Sequence, residues 1–491
     1  MGYELCIMDH ELTEVLTAAL SRGGNYADIF FEHTEFSNLH LQDGVVSSAT
    51  SAIMHGAGVR TLCGDQTGYA YTMDTSQPQL LKAARNAACI ADGLSASPSV
   101  GDNLPSTSPC ASPISSSRDD IPSPLQEGWR EGGGLYPIST PWASIGIQRE
   151  KDALLHIEAF VRDLDERVIR VKAILNHQSR QLSFYNSLGE HFEDVQPRAV
   201  LVVQVVMRQG DEVQMGYSTL ALSMGGAFLA NDRIEQVARE AVERTRILFD
   251  AVKPEGGEMP VVLAAGASGI FMHEALGHAF EADFIRKGTS IFADKMGQQI
   301  CRPEITIVDD GTQLHDAGAL NWDDEGIPGQ RTVLVDRGRL SSFLHDRISA
   351  QHFGVSPTGN GRRESFRCVP QPRMRSTYML AGQCDEADII RSVKKGIYAQ
   401  QFTNGQVQIG AGDFTFYMKQ GYLIEDGHLT RPIRDINIIG NGPQALADIS
   451  MVASNLVIDH SAGMCGKGGQ SVPVSQGLPT VLVDRLVVGG V

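Results

Sequence analysis

Two histidines and a glutamate stand together at His273-Glu274-Ala-Leu-Gly-His278, and the run continues through Ala-Phe-Glu281-Ala-Asp283. Neutral imidazoles are common metal ligands, and a carboxylate beside a bound ion can take a proton from its water. These are the ingredients of a metal-dependent hydrolase. The spacing is irregular, however. Histidines four apart lie about 40° from each other around a helix and reach one ion, whereas histidines five apart lie about 140° from each other and diverge. Both rings converge here only if the backbone leaves the plain α-helix. The expected place is Ala275 to Gly277, where the glycine eases a one-residue π-type bulge.

A catalytic zinc takes three protein ligands and keeps one position open. Glu281, three residues past His278, shares its helical face and is the first candidate by spacing; Asp283 is the other local choice. Each has a competing reading, Glu281 as the group that orients a histidine and Asp283 as the partner of Arg286. A distant segment also competes. Asp459-His460-Ser-Ala-Gly-Met-Cys465-Gly-Lys-Gly-Gly-Gln-Ser-Val-Pro places a lone cysteine in polar, glycine-rich surroundings that read as a flexible loop. Buried structural cysteines seldom have such neighbours, and a thiolate is a good zinc ligand. His460 is a further candidate, for ligation or for substrate.

The elements that position these residues follow from periodicity and turn signals. Residues 10–22 and 78–92 read as amphipathic helices around strand-like pieces at 27–32, 38–41, 58–62 and 68–72, an N-terminal α+β domain over 1–92. Residues 93–145 are rich in Ser, Pro and Gly, bury little apolar surface, and read as a flexible insertion. A central α+β region over 146–255 has helices near 151–165 and 231–251, the second capped by Asn231, with strands at 168–175, 180–184 and 200–207. Lys253-Pro254-Glu-Gly-Gly marks a boundary. The rest, 256–491, is a β-rich domain whose first strand, 259–264, leads through a small-residue turn into the helix carrying the motif. The fold class is thus α+β, an N-terminal α/β-layered part followed by a β-rich part with a zinc-binding helix.

At 491 residues with a formal charge of −17, the chain is long enough for several domains and too acidic for phosphate-rich partners. Nucleic acid and membrane are therefore not expected as partners. No secretory signal opens the sequence and no apolar run reaches bilayer length. The eight cysteines are scattered singly, which suits a reducing cytoplasm.

The histidine motif together with Cys465-Gly-Lys-Gly-Gly-Gln-Ser-Val-Pro-Val resembles the TldD/PmbA family of metallopeptidases, in its TldD branch. The likeness continues through Gly359-Asn-Gly-Arg-Arg, Arg373-Met-Arg, Gly412-Asp-Phe-Thr-Phe and Ile438-Ile-Gly-Asn-Gly, and covers the chain from Met259 onward. The first 90 residues resemble the family more loosely, and the Ser/Pro insertion departs from it. The resemblance implies an HExxxH zinc site, with His273, His278 and Cys465 as ligands of one zinc per chain and Glu274 as the base acting on the metal's water. Glu281 and Asp283 then move one layer outward. It also implies a homodimer, or a heterodimer with a PmbA-like subunit, whose enclosed chamber admits unfolded or small peptides. Arg362 and Arg363 read as solvated loop arginines or as partners of a substrate carboxylate. Two other functions compete with peptide hydrolysis: a non-catalytic PmbA-like subunit, and a regulator without hydrolytic activity. Retention of both histidines, Glu274 and the cysteine favours the enzyme.

Overall fold

A computed structural model describes residues 9–95, 134–136, 138–461 and 463–490. Most of the Ser/Pro/Gly-rich insertion lies outside the described residues. The architecture is mixed α and β throughout, in the expected order: a layered N-terminal part, then a β-rich part bearing an irregular helix.

The N-terminal sheet is antiparallel and six-stranded, from β1 (Tyr26–Gln42), β2 (Val45–Cys63), β3 (Gln66–Thr72), β4 (Val168–Asn186), β5 (His191–Gln209) and β6 (Glu212–Leu222), in the order β3-β2-β1-β4-β5-β6. The β1–β4 register, Ile29 opposite Tyr185 and Leu39 opposite Leu175, joins the first ninety residues and the central region into one surface. Pieces that read as separate strands, 27–32 with 38–41 and 168–175 with 180–184, are single long strands. Their apolar alternation breaks midway because the two ends of the sheet pack on different partners. The Asp9–Leu20 and Gln77–Ser95 helices cover one end through Leu12, Val15, Leu80 and Ala84. The Ile147–Leu164 and Asn231–Ile247 helices cover the other through Leu154, Ile157, Ile234 and Val237. Asn231 is the first helical residue rather than the cap; Ala230 holds the cap position and no side chain closes the end.

Residues 26–34 of β1 are buried without alternation, since both faces are covered. Helices lie on one face and the C-terminal part on the other, where Phe30, Leu182, Phe184 and Phe192 pack against Phe366. Charged side chains cross the same seam. Arg60 meets Asp28 and Glu325, the latter at 2.5 Å, and all three are fully buried.

The C-terminal part is built on a closed barrel. Its strands Gly257–Leu263, Lys395–Val407, Asp413–Glu425, His428–Asn441 and Val481–Gly490 form a ring, because His428–Asn441 pairs with Asp413–Glu425 on one side and with the last strand on the other. A second six-stranded sheet includes Ile307–Asp310, Ser376–Met379 and Ser475–Leu478. The chain leaves the first barrel strand, turns at Gly266 with φ 87°, and enters the irregular helix between barrel and sheet. Close approach fixes this helix: a Cβ on Gly269 would meet the Gly477 amide at 2.7 Å, and one on Gly442 would meet the Ala275 carbonyl at 2.3 Å.

Candidate metal centre

The motif helix is π-helical from Phe271 to Leu276 and tightens to a 3₁₀ turn over Gly277–Phe280, with a break at Leu276, φ −130° and ψ −49°. The wider turn accommodates the five-residue spacing, and the two imidazoles lie with ring centroids 5.0 Å apart, edge to face. Distortion was expected near Ala275–Gly277, and it occurs there. The reason for the glycine differs from expectation. Gly277 has ordinary right-handed geometry, φ −58°, so its conformational freedom is not used. A Cβ at this position would stand 2.0 Å from the Met374 sulfur, so the glycine serves packing.

Cys465 arrives from the far end of the chain. Its strand, Met464–Lys467, pairs with Gln470–Pro473 across a two-residue turn in which Gly468 (φ 57°) and Gly469 (φ 75°) are both left-handed. Two such residues in succession match the twist of a tight hairpin. The expected flexible loop is therefore an ordered hairpin, and Arg373 clamps it by donating to the Cys465 carbonyl. The Cys465 sulfur lies 3.5 Å from His278 Nε2. Ligand atoms of His273, His278 and Cys465 all fall within 4.8 Å of one another, the one such group among the described residues.

All three side chains are buried. Among the described residues His273 Nδ1 has no hydrogen-bond partner. Burial raises the Cys465 thiol's pKa, but the imidazoles, His273 first, pull it well below its ordinary value. Burial likewise disfavours protonated His278, while Glu281 and then Cys465 lift it well above the usual histidine value. Two imidazoles and a thiol with their ligand atoms facing one another are capable of coordinating a metal ion.

Glu281 does not join them. Its Oε2 lies 3.0 Å from His278 Nδ1, on the ring edge away from the cysteine. Burial pushes this carboxyl up, but Lys467, His278 and Arg373 outweigh it and hold it down at about 2. Asp283 is one step further out, 2.6 Å from Lys467 Nζ. Lys467, which went unassigned in the sequence, links the two carboxylates, lies 3.1 Å from Glu281, donates to the Pro372 carbonyl at 2.9 Å and sits over the Phe284 ring. Its position two residues after Cys465, on the same face of the same strand, was the signal available.

Glu274 takes no part in this network of charges. It is half-buried and faces Gly405 on the adjacent barrel strand, and among the described residues its carboxylate has no hydrogen-bond or ion-pair partner. The other candidates are not brought to the cluster. His460 lies 3.7 Å from Asp316, which with burial opposing it keeps the imidazole's pKa above the usual value. Arg362 and Arg363 are not solvated loop residues. Both are buried, Arg362 donating to the Met374 and Pro473 carbonyls and Arg363 to the Asp324 carbonyl and the Tyr69 hydroxyl.

Three family models match in chain order: the PmbA/TldA metallopeptidase domain 1 over residues 27–91, its central domain over 140–249 and its C-terminal domain over 256–490. The chain belongs to the TldD/PmbA family of metallopeptidases. It is 36% identical to a metalloprotease TldD homolog of Haemophilus influenzae over 96% of this chain and 94% of that protein. A metalloprotease of Methanothermobacter thermautotrophicus is 30% identical over 95% of each chain. Among solved structures, TldE of Thermococcus kodakarensis superposes with a TM-score of 0.70 at 19% identity, covering 98% of this chain and all of the other. A Thermotoga maritima protein described as a candidate modulator of a DNA gyrase gives 0.75 at 19%, again over 98% of this chain and all of that one. At such identities the likeness is one of fold.

Proposed function

We propose that the chain is a zinc-dependent peptidase acting on unfolded or small peptides, with Glu274 as general base. The observation that carries this reading is the His273–His278–Cys465 cluster with a free carboxylate next to one of its histidines in sequence. Two imidazoles and a thiolate suit zinc better than harder divalent ions, and one zinc per chain would fill the group. When bound, the ion would supply Lewis acidity, polarising the peptide carbonyl and lowering the pKa of water.

The chain's own residues supply the rest. Glu274, without a competing partner, accepts a proton from the attacking water and delivers it to the departing amine. Glu281 accepts from His278 Nδ1 and so fixes the tautomer that turns Nε2 toward the cluster. Lys467 keeps Glu281 ionised for that task. Family membership supports the remainder: a cytoplasmic dimer, with itself or with a PmbA-like subunit, enclosing a chamber that only unfolded chain can enter. Among the described residues no helix is long and apolar enough to cross a membrane. The division into residues 1–92, 146–255 and 256–491, with 93–145 as an insertion between, belongs to the same proposal.

Replacing Glu274 by Gln tests the mechanism. The variant should keep its metal, measured by elemental analysis, and lose about 10²- to 10⁴-fold in peptide hydrolysis, the usual contribution of a positioned acid–base group. Hydrolysis at the wild-type rate would remove Glu274 from the reaction.

A further inference from the structure

A cavity of about 420 Å³ lies between the N-terminal sheet and the C-terminal part, walled on one side by β4 and β5 and on the other by the Cys465 hairpin. Arg180, Arg198, Arg362, Arg363 and Arg367 line it, against only three carboxylates, Glu32, Asp324 and Glu364. Those carboxylates are engaged. Glu32 and Asp324 both hold Arg180, at 3.0 and 3.4 Å, and Asp324 also accepts from the Arg363 amide. Glu364 accepts from the Ser471 amide at 2.9 Å.

Besides Arg367, which is exposed and rests on the Phe366 ring, two guanidinium groups lack a counter-charge among the described residues, the half-buried Arg198 and the buried Arg362. Arg198 contacts the Met464 sulfur at 3.2 Å, and among the described residues its buried Nε has no partner. Arg362, 2% exposed, donates to two backbone carbonyls. Among the described residues neither forms an ion pair. Desolvation accordingly draws Arg198 down to about 10 and, with Arg375 adding to it, Arg362 down to about 9. Unpaired buried charge is costly unless something brings the opposite sign. A planar guanidinium presents a fork of donors that matches a carboxylate's two oxygens, and the cavity has the size of an ordinary ligand pocket.

We propose that this cavity binds a carboxylate of a peptide, either its C-terminal group or an acidic side chain, with Arg198 as the principal donor and Arg362 behind it. Successive side chains of a strand point to opposite faces, so Cys465 faces the metal ligands while Met464 faces Arg198 and the cavity. A peptide anchored here is held against the element that carries the cysteine. The inference rests on the peptidase reading for the identity of its ligand.

Fluorescence anisotropy on the full-length, metal-loaded Glu274→Gln protein tests it, with three labelled alanine pentapeptides: a free acid, a C-terminal amide, and an amide with one central Glu. At least one acidic peptide should bind about tenfold tighter than the plain amide, as expected for a charge-assisted hydrogen bond, and the one that gains identifies the carboxylate. Arg198→Met should abolish the preference and Arg198→Lys restore part of it, with unchanged thermal unfolding. Equal affinity for all three peptides would overturn the proposal, as would a preference that survives Arg198→Met. Failure of the wild-type protein to hydrolyse any peptide would count against the peptidase reading while leaving this binding comparison intact.

Discussion

Two regions of this protein bury polar side chains at comparable depth and arrange them in opposite ways. At the seam between the N-terminal sheet and the C-terminal part, opposite charges alternate: Arg60 between Asp28 and Glu325, Arg180 between Glu32 and Asp324. At the metal centre, three lone-pair donors face one another and the compensating charges, Lys467 and Arg373, stand behind them. Along these pairs the seam balances its own charges. The centre instead gathers two imidazoles and a thiol whose ligand atoms lie within 4.8 Å of one another, a group able to hold a metal ion. Burial of charge alone therefore does not distinguish a functional site; the sign pattern does. Imidazole and thiolate ligand atoms converging on one point suit a metal ion, whereas alternating signs lock two layers in register.

Cys465→Ala breaks the comparison most severely. Removing one of three ligands should reduce bound zinc from one per chain to near zero after dialysis, read by elemental analysis, and the folded state should persist because only a small side chain is lost. Undiminished zinc would return the third position to Glu281, the candidate that helical spacing favours.

Arg60→Met acts on the other region. Removing the shared cation leaves Asp28 and Glu325 buried without it, which costs about 3–5 kcal/mol when one partner of a buried pair is removed. Denaturant unfolding should show that loss while zinc content per folded molecule stays at the wild-type value. A variant that lost both would show that the seam, and not only the local helix and hairpin, sets the metal geometry.

Glu281→Gln is intermediate. Glutamine keeps an acceptor for His278 Nδ1 but removes the charge that Lys467 balances. Metal affinity should fall about 10- to 100-fold, measured by competition with a chelator, without loss of stoichiometry at saturating zinc. Loss of stoichiometry would make Glu281 a ligand in its own right.

What the sequence disclosed divides along the same line. His273, Glu274 and His278 are legible because their types are chemically loaded and their spacing is short. Cys465 is marked by its surroundings, but its placement beside His278 depends on a hairpin and a barrel that no local pattern encodes; family resemblance, not spacing, singled it out. The seam was invisible. Asp28, Arg60 and Glu325 look like ordinary surface charges until β1 is covered on both faces, and Arg362 and Arg363 read as solvated for the same reason. The long strands appeared as fragments because each end packs on a different partner, so one apolar period does not run through.

Gly277 shows how a correct local expectation can rest on the wrong cause, and its substitution is the mildest of these tests. Sequence alone suggests that the glycine lets the helix bulge. Its φ of −58° is open to any residue, and the π turn precedes it, from Phe271 to Leu276. What excludes a side chain is the Met374 sulfur, with the Met272 carbonyl at 3.1 Å on another side. Gly277→Ala should therefore leave the π turn in place and cost about 1 kcal/mol through overpacking, the low end because a thioether repacks readily. Adding Met374→Ala to make room should recover part of that loss relative to Met374→Ala alone. If the alanine instead straightened the helix, His273 and His278 would diverge and zinc would be lost with Met374 intact or removed. Backbone freedom would then be the reason for the glycine after all.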